Sequence, residues 1–204
     1  MTRGNRRKAK FQPQGRVVFF ATGNIHKFDE ARSILTGLDI AVGMLRVKDT
    51  EIQSDSLVEI AQASALEAFN QCHMPIIVED AGLLIEALNG FPGPYAAYAY
   101  KTIRNRGLLK LMKNVKDRKA LFRSAIAFCD SEAKAPMIFE GETEGEIARG
   151  ARNRSGKLGF GFDPIFRPFG STKTFAEMTL EEKNGFSHRA KAVRKFAEWY
   201  KKLQ

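Results

Sequence analysis

No apolar run in this 204-residue chain approaches the roughly 20 residues that a bilayer crossing requires. The first apolar run, Val17 to Ala21, is too short for the core of a signal peptide, so the sequence reads as a cytoplasmic, non-membrane protein. Cysteine is scarce. Cys72 and Cys129 make no metal or redox spacing and stand among apolar neighbours, so reduced core residues are expected rather than a disulfide. No G-x-x-x-x-G-K-[ST] occurs, which excludes a Walker loop, and the first strand-to-helix loop is not G-x-G-x-x-G. Internal repeats and linkers are missing too.

What is present is a 44% hydrophobic composition, enough for one sizeable core, and a formal net charge of +10. Half of that charge sits in residues 1–15, where Arg3, Arg6, Arg7, Lys8 and Lys10 meet no acid. That stretch has no hydrophobic period and reads as a disordered basic tail, either solvated or in loose contact with nucleic acid or another polyanion. Residues 16–204 read as a single folded domain.

The most informative segment is Pro75-Ile76-Ile77-Val78-Glu79-Asp80-Ala81-Gly82. An apolar run of this kind suits a strand buried on both faces, so two carboxylates at its end are expected at the sheet's edge. Around it, Val17 to Ala21 is a strand, and Thr22-Gly23-Asn24 leads into a helix bearing Phe28, Ala31 and Leu35. Asp39 to Val47 suggests a strand and Asp49 to Asp55 a polar loop. Ser56 and Glu59 cap a long helix whose face is Leu57, Ile60, Ala61, Ser64, Ala65, Ala68, Phe69 and Cys72. A short helix is expected at Leu83 to Leu88, an irregular turn at Asn89 to Pro94 and a helix from Ile103 to Lys113. Strands follow at Ala120 to Cys129, Met137 to Glu140 and Gly145 to Ala148, then a Gly-rich segment at Gly156 to Gly161. Thr179 with Glu182 caps a further helix, and another follows Ser187 with Ala190, Val193, Ala197 and Tyr200 on one face. Helices interleaved with strands, and a β-rich later half, give an α/β protein with a mixed sheet.

Four segments carry candidate chemistry. Thr22-Gly23-Asn24-Ile25-His26-Lys27 leaves a strand and enters a helix, so its backbone N–H groups, its glycine and Lys27 suit phosphate, although a plain helix cap needs the same residues. Glu51, Glu79 and Asp80 are oxygen donors of the type that holds Mg2+, and such a carboxylate can also take a proton from water; a solvated loop acid for Glu51, and a helix cap or a structural pair with nearby Lys or Arg for Glu79 and Asp80, are the alternatives. In Gly159 to Pro164, Phe160 and Phe162 alternate with glycine, and Asp163 can accept from ring N–H groups, unless both rings simply enter the core. Lys183, His188 and Arg189 cluster around a helix start, where cations oppose the macrodipole and need another justification.

Together these segments resemble the inosine triphosphate pyrophosphatase family, which cleaves nonstandard purine nucleoside triphosphates to monophosphate and pyrophosphate. The likeness rests on T-G-N-I-H-K at Thr22 to Lys27, V-E-D-A-G-L at Val78 to Leu83 and G-F-P-G-P-Y at Gly90 to Tyr95. It extends through G-F-G-F-D-P-I-F at Gly159 to Phe166 and T-F-A-E-M-T-L-E-E-K-N with S-H-R between Thr174 and Arg189. The resemblance implies an elongated, two-lobed mixed sheet flanked by helices, a cleft between the lobes, a homodimer and Mg2+. It implies that Thr22 to Lys27 hold the triphosphate, that Asp80 is the base beside the metal, with Glu51 and Glu79 as further metal-side acids, and that Phe160, Gly161, Phe162 and Asp163 stack on and read the purine. Lys183, His188 and Arg189 would complete recognition. The chain departs from its relatives at Ala81, where many have a hydroxyl, and near Ala63 and Ala97, where some have lysine; Lys101 or Arg104 could substitute.

Overall fold

A computed structural model of the chain describes residues 17–47, 52–131, 135–153 and 160–203. The basic tail at 1–15, Glu51, and Gly156 to Gly159 of the Gly-rich segment lie outside the described residues.

Strand β1 (Val17–Ala21) turns through Thr22 and Gly23 into helix α1 (Ile25–Thr36). Asn24 caps that helix, its side-chain oxygen accepting from the backbone N–H groups of His26 at 3.0 Å and Lys27 at 3.4 Å. Strand β2 (Ala41–Leu45) follows a left-handed Asp39 and lies parallel to β1. Helix α2 (Leu57–Cys72) buries the face expected of it from Leu57 to Phe69. Its cap is half a capping box, since Ser56 accepts from the Glu59 N–H but the Glu59 carboxylate goes to Ser54 Oγ at 2.7 Å.

Strand β3 (Ile76–Ile85) corrects the expected helix at Leu83 to Leu88. The chain stays extended because Leu83 and Ile85 are fully buried opposite Phe122 and Ala120 of β5 (Lys119–Cys129); Glu86–Leu88 is only one 3-10 turn. Glu79 and Asp80 therefore stand in mid-strand, not at its end. The turn after β3 contains a two-residue strand, β4 (Pro92–Gly93), paired with Leu83 and Leu84. Gly82 permits this, since a Cβ there would lie 2.6 Å from the Gly93 carbonyl oxygen. A helix not expected from the sequence, α3 (Ala96–Thr102), precedes the one expected over Ile103 to Lys113, which is α4 (Arg104–Leu111); the two are separated where Arg104 adopts φ 55°. The two short strands expected after β5 are one, β6 (Met137–Ile147). Strand β7 (Phe166–Pro168), helix α5 (Leu180–Phe186) with the Thr179–Glu182 capping box, and helix α6 (His188–Tyr200) complete the chain.

The seven strands form one open mixed sheet in the order β2-β1-β3-β5-β6-β7, with β4 also on β3. Strand β1 pairs with β3 only at Ile76 and Ile77, and β4 only at Leu83 and Leu84. Between those points, among the described residues, no strand covers that edge of β3, and a cleft opens there. One half of the sheet carries apolar clusters against α1 and α6 and against α2; the other half packs against α3, α4 and the Phe162 to Phe175 region. Cys72 and Cys129 form no disulfide, as expected, though only Cys129 is buried, and no helix among the described residues is long and apolar enough to cross a membrane.

Candidate active site

The cleft holds a cavity of about 590 Å³ whose wall draws on both halves of the sheet. Asn24 and Lys27 come from the start of α1, Asp80 and Ala81 from β3, and Phe160 to Asp163 from the loop before β7. His188 and Arg189, in the first turn of α6, complete the set. Helix α6 can press this close because Gly141 on β6 lies directly beneath it, where a Cβ would strike the His188 carbonyl oxygen and the Ala192 nitrogen.

Alternation along β3 sends its adjacent acids to opposite faces. Asp80 is half-buried and lines the cavity. Glu79 turns towards α1 and α6, and its buried carboxylate is already engaged. It accepts from Ser124 Oγ at 2.7 Å and Arg189 Nε at 3.1 Å, and lies 2.9 Å from Lys27 Nζ. Lys27 also donates to the Glu79 carbonyl oxygen at 3.1 Å. Burial alone would raise the Glu79 pKa, but Arg189 and Lys27 outweigh it and hold the acid well below the usual carboxylate range.

From Arg189 the ionic contacts continue. Its Nη1 meets Glu30 Oε2 at 2.5 Å, Glu30 Oε1 meets Lys183 Nζ at 2.6 Å, and Lys183 Nζ meets Asp163 Oδ2 at 2.7 Å. All four side chains are less than a tenth exposed. Burial pushes Glu30 up, yet Arg189 and Lys183 bring its pKa down to about 2. Burial also works against Lys183, but Asp163 and Glu30 raise it overall. Asp163 is raised by burial and by neighbouring Glu30, against the pull of Lys183. Arg189 at the start of α6 thus finds its justification in acids from α1 and β3 rather than in the helix dipole, and Lys183 on α5 finds its own in Glu30 and Asp163.

His188 lies flat on Phe122, with centroids 4.6 Å apart and planes 7° from parallel. Burial and the adjacent Arg189 lower its pKa well below the ordinary value, so the ring is neutral; its Nδ1 has no hydrogen-bond partner among the described residues. Phe160 is half-buried on the cavity wall, 5.3 Å from the His26 ring. Phe162 is buried edge-on against Tyr100, so the core reading holds for its ring even though it reaches the cavity. Gly161 between them adopts φ +56°.

Of the Thr22 to Lys27 loop, Asn24 and Lys27 reach the main cavity. Thr22 and Gly23 instead line a small neighbouring hollow of about 40 Å³, and Ile25 is exposed. Ala81 has no hydroxyl, and its cross-strand neighbour Ser124 spends its own on Glu79. Ala97 lines the cavity beside Tyr98, so an aromatic ring borders the place where some relatives have a cation. Lys101 and Arg104 are exposed and are not among the cavity-lining residues.

Sequence reasoning missed Glu30, Ser124, Asn105 and the tyrosines of α3. Glu30 had a signal: it sits beside Ala31 and one turn before Ile34 on the apolar side of α1, where an acid needs a partner. Asn105, which donates to the Gly161 carbonyl oxygen at 3.1 Å, had none.

The sequence model of the Ham1 family matches residues 18–199. This chain belongs to the Ham1 family. A dITP/XTP pyrophosphatase of Methanopyrus kandleri is 50% identical over 90% of this chain and 96% of its own length. One of Hyperthermus butylicus is 46% identical over 91% and 95%. Among solved structures, a HAM1 protein from Coxiella burnetii superposes with a TM-score of 0.79 at 32% identity, covering 92% of this chain and all of its own. The Ham1 protein of Staphylococcus aureus gives 0.77 at 27% identity over 93% of this chain. The Ham1 resemblance therefore spans both halves of the sheet and every segment that builds the cleft.

Proposed function

We propose that this Ham1 family member hydrolyses dITP, ITP and XTP to the nucleoside monophosphate and pyrophosphate, by attack of water at the α-phosphorus. The observation that carries this reading is the convergence on one cavity of Asn24 and Lys27, the Asp80 carboxylate, and the set Phe160, Asp163, His188 and Arg189. The dITP/XTP pyrophosphatase name of relatives about half identical to this chain supports it.

In the reaction Lys27 and Asn24 hold the phosphates at the start of α1, where the helix dipole adds to the lysine charge. Asp80 takes the proton of the attacking water. Phe160 stacks on the purine. Asp163 accepts from the N1–H of a 6-oxo purine, and Arg189 or a backbone N–H donates to the 6-oxo group. An adenine ring offers neither match and would leave buried groups unpaired, at a cost of roughly 1–3 kcal/mol.

Magnesium fits the donors. Lys27, Lys183 and Arg189 are matched in number by Glu30, Glu79 and Asp163, so the fixed charges leave little surplus to meet a tetra-anionic substrate. Asp80 is an oxygen donor on the cavity wall and would hold Mg2+ together with substrate phosphates and water. Glu79, committed to three donors, is not assigned to the metal, and Glu51 lies outside the described residues. When bound, Mg2+ would neutralise phosphate charge and polarise the reacting centre. A cytoplasmic homodimer is part of the same reading.

The test is turnover of dITP, ITP and XTP against ATP and GTP with magnesium, with product identification. Monophosphate and pyrophosphate from the nonstandard purines, made much faster than from ATP or GTP, are expected. Orthophosphate and a nucleoside diphosphate would contradict the mechanism.

A further inference from the structure

We propose that Glu30, which is not a cavity-lining residue, is a positioning residue that sets the purine-reading groups of the site; the inference rests on the pyrophosphatase reading above. Its two carboxylate oxygens are divided between two cations far from it in sequence, Lys183 of α5 at 2.6 Å and Arg189 of α6 at 2.5 Å. Each cation leads to a group on the cavity wall. Arg189 is itself there, and Lys183 holds Asp163 at 2.7 Å. One buried carboxylate thus fixes both a proposed donor and a proposed acceptor for the base.

Glu30 also carries a length. It lies three residues after Lys27 on α1, and residues so spaced share a helix face. The helix that presents the phosphate-side lysine therefore also holds the base-side pair, so the separation between the two ends of the substrate site is set by one rigid element. A second contact keeps the base side on α1: Asn184 Nδ2 of α5 donates to Ser33 Oγ at 2.8 Å. Without the Glu30 charge, Lys183 keeps only Asp163 and Arg189 keeps only Glu79, and the two cations repel each other directly. They would shift towards solvent in the cleft, taking Asp163 with them.

Glu30→Gln keeps the shape and removes the charge. For the folded variant, checked by its thermal melt, KM for dITP should rise about tenfold or more while kcat stays within about threefold, because Asp80 is untouched. The preference for dITP over ATP should narrow, and Glu30→Asp, which restores the charge with a shorter reach, should recover part of the loss. Unchanged KM and unchanged preference in folded Glu30→Gln would overturn the inference, as would a fall in kcat at constant KM. If Glu30→Gln does not fold, Glu30→Asp carries the test: raised KM with narrowed preference supports the role, and wild-type constants overturn it. A wild-type protein that turns over no nonstandard purine triphosphate would instead defeat the pyrophosphatase reading itself.

Discussion

Glu79 and Asp80 are neighbours on β3 and meet opposite surroundings. Glu79 faces α1 and α6, where Lys27, Arg189 and Ser124 close around it and exclude water. Asp80 faces the cleft, half-buried on a wall that a ligand can reach. One strand thus supplies a carboxylate that organises the protein's own charges and another that lines the cleft cavity. Two adjacent acids do not make a pair when they sit on a strand, because the two-residue period separates them by the thickness of the sheet.

The comparison breaks most readily at Asp80. Asp80→Asn should lower kcat by about 10²- to 10⁴-fold, the usual range for removing a general base, with little change in thermal stability and with nucleotide binding retained. Near-normal turnover would place the base elsewhere and would leave the two acids without the division of roles drawn here. Glu79→Gln should do the reverse first, since it leaves Arg189 and Lys27 buried beside a neutral amide. Breaking a buried ion pair from one side costs about 3–5 kcal/mol, so the denaturant midpoint should fall sharply. If Glu79→Gln melted like the wild type while losing only metal-dependent activity, the metal-side role implied by the family resemblance would be restored.

Much of this was legible from the residues, and what was not has a common cause. The capping signals at Asn24, Ser56 and Thr179 and the apolar face of α2 are local, and the chain shows them locally. The strand–helix error at Leu83 came from non-local pairing: only the register with Phe122 and Ala120 keeps that segment extended. The same correction moved Glu79 and Asp80 from a strand end to mid-strand, where β5 pairs with one edge and, among the described residues, no strand covers the other. Asn24, Lys27, Asp80, Phe160 and Arg189 are each ambiguous on residue type alone, and only the resemblance joins their segments into one site; the cavity wall brings them together. Ser124 and Asn105 are ordinary residues in ordinary patterns, and only tertiary contacts with Glu79 and Gly161 give them a role.

His188 sharpens the contrast through pH. It belongs to the crowded side of β3, flat against Phe122 and next to Arg189, and its pKa in the folded protein lies well below 6.5. In the unfolded chain it protonates near its ordinary value, so between that value and the lower folded one the unfolded state binds more protons. Stability should therefore rise with pH in that window and fall as the solution is acidified, by up to about 1.4 kcal/mol per pH unit for this one group. Glu30 moves the same way at lower pH: its folded pKa of about 2 lies below the ordinary value of a glutamate, so its contribution is present above the unfolded value and lost as pH drops towards 2. His188→Gln should flatten the stability slope just below pH 6.5 while leaving the more acidic fall in place, which denaturant titrations across pH can resolve. An unchanged slope would mean that the ring is already charged in the folded state, and that the Glu79 side of the strand tolerates one more cation than its contacts suggest.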